Sequence, residues 1–199
     1  MEYKTFLQEQ DIIEASFKLG VDIFNAEYYP TFIVGLWRGG STVGIYLQEC
    51  LQSLGVTTNH IAIRTSYVGP RRYAEDLAKS DLPIRVHGTE YLIKTLRAED
   101  RLLIVDDVFG SGRNVAAVID QLKRRLRRNF PEHLRVACLF QRTSQHQGSF
   151  QPDFVGAETN DWLTLPYELQ DLSYDELALH KPAVIDLIET YGLTLPKLS

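Results

Sequence analysis

The feature that most constrains this chain is a strand that carries two carboxylates into a glycine turn. Leu102–Asp106 is an apolar run that reads as a buried strand, and Asp107 follows it directly. Gly110, Ser111 and Gly112 come next, and a helix is expected from Arg113 or Asn114. Val115, Val118, Ile119, Leu122 and Leu126 recur at helical spacing on one face of it. Glycines permit a tight loop whose backbone N–H groups converge, and the new helix adds its unpaired N–H groups and positive dipole end. Such a turn binds an anion, with Ser111 and Asn114 as side-chain donors. It is not a Walker loop, which needs Gly-Lys-Ser/Thr, and it is not GxGxxG. Asp106 and Asp107 would repel a phosphate unless something between them needs acceptors. Sugar hydroxyls and a Mg²⁺ ion both do. An ordinary strand-to-helix turn with an acidic cap fits the same residues.

The rest of the chain repeats the strand–helix rhythm. Helical spacing runs from Ile12 to Phe24, with Gly20 interrupting it. Thr31–Leu36 reads as a buried strand, and Ser41–Leu54 as a helix capped by Ser41 and stopped by Gly55. His60–Arg64 and Pro83–Val86 read as strands, and Glu90–Leu96 as a short helix. Leu134–Phe140 is another strand. Phe154–Ala157 and Trp162–Leu165 read as short strands outside the rhythm, and Lys181–Tyr191 as the last helix. The order predicts an α/β fold, with a mostly parallel sheet covered by helices on both faces. One domain is expected over residues 1–199, with a core from about 27 to 145. A small hood from about 146 to 175, with the terminal segments, is expected over the sheet's carboxyl edge.

Composition removes several function classes. The 199 residues suffice for one α/β domain with an appendage. Net charge is -5, which argues against nucleic acid. The basic run Lys123, Arg124, Arg125, Arg127 and Arg128 falls in the last turns of a helix, where cations meet the negative dipole end. No apolar run has the length to cross a membrane, and the N-terminus lacks a leader's shape. Cys50 and Cys138 sit in apolar segments and read as buried small hydrophobes. A cytosolic protein is expected.

The two-acid strand and its glycine turn resemble the 5-phosphoribosyl-1-pyrophosphate (PRPP) signature of the type I phosphoribosyltransferases. The resemblance implies that Asp106 and Asp107 hold the ribose hydroxyls and bear on Mg²⁺. It implies that Gly110, Ser111, Gly112, Arg113 and Asn114 cradle the 5-phosphate. Three further segments are similar to the family in the same order. Trp37-Arg38-Gly39-Gly40 resembles its pyrophosphate loop, so Trp37, Arg38 and Gly39 would meet pyrophosphate across a cis Trp37–Arg38 bond. Ser66 and Tyr67 resemble the Ser-Tyr pair that heads a mobile stretch reaching to Lys79. The segment from Pro152 to Leu169 resembles the purine-binding strand pair of the hypoxanthine and xanthine–guanine enzymes. By that pattern Trp162 stacks on the base, Leu163 offers it backbone groups and Glu168 reaches a second metal. The catalytic set implied is Asp106, Asp107, Arg38 and Tyr67. The resemblance spans about residues 31 to 172, and it implies a homo-oligomer.

Two positions depart from that pattern, both at the base end. Gly110 stands where the 6-oxopurine enzymes carry an aspartate beside the base nitrogen N7. Gln141 stands where they carry a lysine that donates to the 6-oxo group. An amide can donate or accept. The reading favoured is transfer of 5-phosphoribosyl from PRPP to a purine-like base, with hypoxanthine, guanine or xanthine ahead of other heterocycles. A non-catalytic regulator of the same fold, an enzyme for a different base, and an unrelated nucleotide-binding α/β protein remain alternatives.

Overall fold

Strands that are apolar on both sides need cover on both sides, and the chain supplies it. The computed structural model describes residues 4–67, 84–145, 150–170 and 172–193. The described elements run β1 (Lys4–Phe6), α1 (Glu9–Asn25), β2 (Phe32–Trp37), α2 (Gly39–Ser53), β3 (Asn59–Tyr67), β4 (Ile84–His87) and α3 (Glu90–Thr95). They continue with β5 (Arg101–Phe109), α4 (Arg113–Leu126), β6 (His133–Arg142), β7 (Phe154–Thr159), β8 (Trp162–Thr164), α5 (Tyr174–His180) and α6 (Pro182–Thr190). A 3₁₀ turn, Arg127–Asn129, follows α4.

The chain divides into two units, Gln10–Asn160 and Met1–Glu9 with Asp161–Ser199. The larger unit holds a six-stranded sheet in the order β4-β3-β2-β5-β6-β7. All pairs are parallel except β3 with β4. Phe32, Val34 and Leu36 of β2 face one layer of core with Val115, Val118, Ile119 and Leu122 of α4. The alternate residues Ile33 and Gly35 face α2. A Cβ on Gly35 would lie 2.7 Å from the Ser41 Cα, and one on Gly44 would lie 3.6 Å from an Ile33 methyl. Helices therefore cover both faces of β2, as the apolar pattern predicts.

Several boundaries differ from the sequence reading, for physical reasons. Phe154–Thr159 is not part of a hood. It is the edge strand of the main sheet, with Cys138 opposite Val155 and Gln141 opposite Glu158. It also does not pair with Trp162–Thr164, which pairs with β1 in a separate two-stranded sheet. Ser41 does not cap α2. The helix begins at Gly39 with Arg38 at the cap position and no side-chain cap bond. Helix α5 escapes the periodicity reading because seven residues carry little of it, yet its start is signalled by Ser173 and Glu176. These form a reciprocal capping box, with Glu176 N donating to Ser173 Oγ and Ser173 N to Glu176 Oε2.

The smaller unit has its own core of Leu172, Leu177 and Ile185 against Phe6. Phe6 also stacks on His180 with centroids 3.6 Å apart. Lys4 reaches Glu176 at 2.8 Å.

Tyr28 ties the amino edge of the main sheet together. Its hydroxyl lies 2.8 Å from the Leu102 carbonyl and 3.0 Å from the His133 carbonyl, so it bridges β5 and β6. Burial pushes its phenol well above the usual range, and it stays a donor at any working pH. Tyr28→Phe keeps the ring and strands two carbonyl partners. It is expected to cost about 1 kcal/mol, read as a lower chemical-denaturation midpoint with an unchanged slope.

His60 carries a pH dependence. Its Nε2 is buried beneath α2 without a partner among the described residues, and a Cβ on Gly44 would stand 2.7 Å from it. Burial lowers its pKa below the usual 6.5. The unfolded chain therefore takes up a proton at a pH where the folded chain does not. Stability is full above about pH 6.5 and falls as pH drops toward the lowered value. His60→Gln should flatten this decline between pH 7 and 5, measured as melting temperature against pH. An unchanged slope would assign the decline to other groups.

Candidate functional site

The strand order sets the site's position. From β2 the sheet grows one way, through β3 to β4. From β5 it grows the other way, through β6 to β7. The order thus reverses between β2 and β5, and open α/β sheets bind ligands at the carboxyl ends of such neighbours. The loop after β2 is Trp37-Arg38-Gly39-Gly40, and the loop after β5 is Gly110-Ser111-Gly112. Both glycine loops singled out in the sequence therefore lie at the carboxyl ends of these neighbouring strands.

Glycine lets the two loops approach. A Cβ on Gly40 would overlap the Val105 carbonyl oxygen and lie 3.0 Å from the Asp106 Cα. The first turn of α2 thus rests directly on β5 where the acid pair begins. The Trp37–Arg38 peptide bond is cis. Arg38 and Trp37 are exposed, whereas Gly39 and Gly40 are buried.

Strand β5 runs three residues further than expected, so Asp106 and Asp107 lie inside the ladder. Asp106 is opposite Cys138 and Phe109 is opposite Gln141. Phe109 is 1% exposed and packs the loop from below. Gly112 has φ 72°, and its missing Cβ would lie 2.7 Å from the Phe109 ring, so no other residue fits there. Helix α4 starts at once. Its first intrahelical bond runs from Ala116 N to Gly112 O, so the amides before Ala116 have no helical carbonyl to meet. The first turn of α4 holds no acid, and its last turn holds Lys123, Arg124 and Arg125. Both ends complement the dipole, and the N-terminal end is left open to an anion. Asn114 Oδ1 in the first turn is buried without a partner among the described residues.

The acid pair is coupled. The Asp107 amide donates to Asp106 Oδ1 at 3.1 Å. Burial, and then the neighbouring Asp107 carboxylate, push the Asp106 carboxyl well above the usual range. Two crowded carboxylates of this kind suit a cation or the hydroxyls of a sugar. Mg²⁺ takes one or two carboxylates together with phosphate oxygens and waters rather than an all-protein cage. Asp106 and Asp107 fit that donor set. The described residues form no cluster of three metal-type side chains.

Other expected residues lie elsewhere. Ser66 is near the end of β3, its Oγ 3.0 Å from His87 Nε2. Tyr67 ends β3, but its side chain and the stretch after it, 68–83, lie outside the described residues. Gln141 is buried, and its Nε2 donates to Gln151 Oε1 at 2.6 Å. Trp162, Leu163 and Glu168 belong to the smaller unit. Trp162 lies opposite Lys4 and Leu163 opposite Thr5. Glu168 Oε2 accepts from the Leu165 amide at 2.9 Å, closing a tight turn whose carbonyls Lys181 also meets. The sequence reading missed His87 and Gln151, since neither belongs to a motif and each is known only by what it touches.

Solved structures of similar shape decide the fold. A purine phosphoribosyltransferase from Pyrococcus horikoshii Ot3 superposes with a TM-score of 0.62, at 23% identity, covering 87% of this chain and 98% of that one. A hypothetical protein from Neisseria gonorrhoeae with bound ppGpp superposes at 0.70, with 19% identity, covering 92% and 98%. The chain has the type I phosphoribosyltransferase fold. Sequence relatives agree with it. Phosphoribosyltransferase domain-containing protein 1 of Homo sapiens is 22% identical over 165 residues, 82% of this chain and 70% of that protein. The chain spans 58% of the length of each of two Xenopus proteins of the same description. Hypoxanthine-guanine phosphoribosyltransferase of Bos taurus is 25% identical over 174 residues, 86% of this chain and 76% of that protein. No protein-family model matches the chain. Among the described residues, no helix of this phosphoribosyltransferase fold is long and apolar enough to cross a membrane.

Proposed function

We propose that the chain is a PRPP-dependent phosphoribosyltransferase that transfers 5-phosphoribosyl to a purine-like base and releases pyrophosphate. One observation carries the reading. Two glycine-lined anion loops open at the β2/β5 switch point, and an acid pair stands where they meet. A ligand with a phosphate at one end, hydroxyls in the middle and a pyrophosphate at the other matches that order.

Gly110, Ser111, Gly112, Arg113 and Asn114 hold the 5-phosphate through backbone amides and the dipole end of α4. Asp106 and Asp107 accept from the ribose hydroxyls. Arg38, with Trp37 and the Gly39 amide, meets the leaving pyrophosphate with a permanent charge. Ser66 is assigned to PRPP binding and Tyr67 to the catalytic set, and Gln141, Trp162 and Leu163 to the base. Asp106 and Asp107, with Glu168 for a second ion, are assigned to Mg²⁺, which would neutralise charge building on the pyrophosphate. Rate then comes from positioning and from donors fixed in advance of the charge they meet. The resemblance further assigns the chain to purine salvage in the cytoplasm, as a homo-oligomer.

The test is pyrophosphate release from PRPP and Mg²⁺ with a panel of bases. Release with at least one base is expected. Gly110 favours one rival, a regulator of the same fold, because no carboxylate stands there to handle a base proton. PRPP binding with no release for any base would select that regulator.

A further inference from the structure

The β3–β4 edge of the sheet carries a group of cations that the proposed reaction does not use. In this antiparallel ladder Arg64 lies opposite His87, and Ser66 lies opposite Arg85. Directly opposite residues share a face of a sheet, and so do residues two apart along a strand. Arg64, Ser66, Arg85 and His87 therefore stand together on one face. Ser66 Oγ lies 3.0 Å from His87 Nε2, across the diagonal of the group. The other face is the buried one. Ile63 is 1% exposed, and Ile61 and Val86 pack against the core that α4 covers. Arg64, Arg85 and His87 are exposed.

Such a group costs the fold stability, because like charges opposite one another in a ladder repel. Other cations are matched with acids. Lys4 meets Glu176 at 2.8 Å, Lys18 meets Asp22 at 2.7 Å and Arg135 meets Asp153 at 2.9 Å. Among the described residues no acid forms an ion pair with Arg64 or Arg85. Strand β4 is the edge of the sheet, where charge blocks further strand pairing. Arg85 alone would serve that end. Arg64 is on the inner strand β3, so edge protection does not account for it.

We infer that Arg64, Arg85 and His87 form a second anion site, for a phosphate-type oxyanion, separate from the proposed PRPP site. Guanidinium forks meet phosphate oxygens with paired N–H donors. Ser66 donates to His87 Nε2 in this site, which leaves the ring proton on Nδ1 as a further donor. A bound anion also removes the repulsion between the cations. The separation follows from strand order. The acid pair is on β5, two strands from β3 and three from β4, or about 10–14 Å at the usual strand spacing. The site goes beyond the phosphoribosyltransferase reading and stands whether or not the chain is an enzyme.

The experiment follows the imidazole proton signal of His87 by NMR, identified by its loss in His87→Gln, while inorganic phosphate is added at constant pH and ionic strength. The signal should shift and saturate. Arg64→Gln with Arg85→Gln should weaken that binding by at least about tenfold, the effect of losing one charged hydrogen bond. The double variant should bind PRPP within threefold of wild type. Without ligand it should melt no lower, since it loses only like-charge repulsion. AMP distinguishes the source of the anion. Equal affinity of AMP and phosphate at His87 assigns the site to free phosphate, and tighter AMP assigns it to a nucleotide. A shift that never saturates, or that chloride reproduces, reduces the cluster to screened surface charge and overturns the inference. Phosphate affinity unchanged in the double variant overturns it as well. A tenfold loss of PRPP affinity would place the cluster inside the PRPP site and remove the second site. Absent pyrophosphate release with saturable phosphate binding at His87 removes the enzyme and retains this site.

Discussion

Asp107→Asn is expected to lower kcat/KM by about 10²–10³-fold and to leave the melting temperature unchanged or higher. The activity loss has the size seen when one preorganised polar group is removed from a transition-state site. The stability effect has the opposite sign because the unliganded pair is a liability. Asp106 and Asp107 are consecutive and half-buried, and burial first, then the Asp107 charge, holds the Asp106 carboxyl well up. Removing the Asp107 charge removes that repulsion and lets Asp106 ionise more readily. Asparagine keeps the shape, and the backbone amide of residue 107 still donates to Asp106 Oδ1. Sites kept for binding often cost stability in this way. The measurement is steady-state kinetics beside thermal unfolding without ligand. Activity within threefold of wild type would remove the acid pair from the mechanism. A lower melting temperature would instead make the pair structural.

The loop from Gly110 to Gly112 was legible because its signals are local. The apolar run, the two acids, the glycines and the helical face of α4 are all within about two dozen residues, and each follows from backbone geometry. The length of β5 was less legible. Val108 and Phe109 continue the ladder because β6 continues beside them, with Val108 opposite Phe140. A partner strand thirty residues away cannot be read from Val108 itself. The same limit hides β1. Lys4–Phe6 is a strand only because Trp162–Thr164 pairs with it, and three residues carry no period. Gly20, by contrast, interrupts the helical pattern without ending α1. A Cβ there would stand 2.8 Å from Cys50 Sγ, so the gap is a packing requirement of α2 against α1.

The base end was the least legible part of the site. Gln141 could be located by its place in the strand, but an amide's preference depends on what fixes its rotation. Its neighbour Gln151, 2.6 Å away, lies in a loop with no motif. The hood was misplaced for a related reason. Phe154–Thr159 is short and only partly buried, which reads as peripheral, yet it pairs in parallel with β6 from Ala137 to Arg142. Edge strands bury one face and one side only, so their composition understates their membership of the sheet.

Gly40→Ala tests the joint between the two loops, and a large loss is expected in both stability and binding. The added methyl group would overlap the Val105 carbonyl oxygen and approach the Asp106 Cα at 3.0 Å. Both obstacles are backbone atoms of a central strand, 0% exposed at Val105, and neither can swing aside. The first turn of α2 must therefore lift from β5, at about 1–3 kcal/mol. That movement carries Arg38 away from the acid pair, and misplacement by about 1 Å can cost about 10²-fold in rate. Gly44→Ala is the matched control in the same helix. Its Cβ meets the ring of His60 at 2.7 Å, a side chain that can shift, and the contact lies a full turn beyond the loop that follows β2. It should cost stability while leaving PRPP affinity within a factor of two or three. If the two variants lose PRPP affinity equally, the defect is general loosening of α2 and not the joint. If Gly40→Ala alone loses it, the close approach of the β2 loop to β5 is what assembles the two proposed anion sites into one.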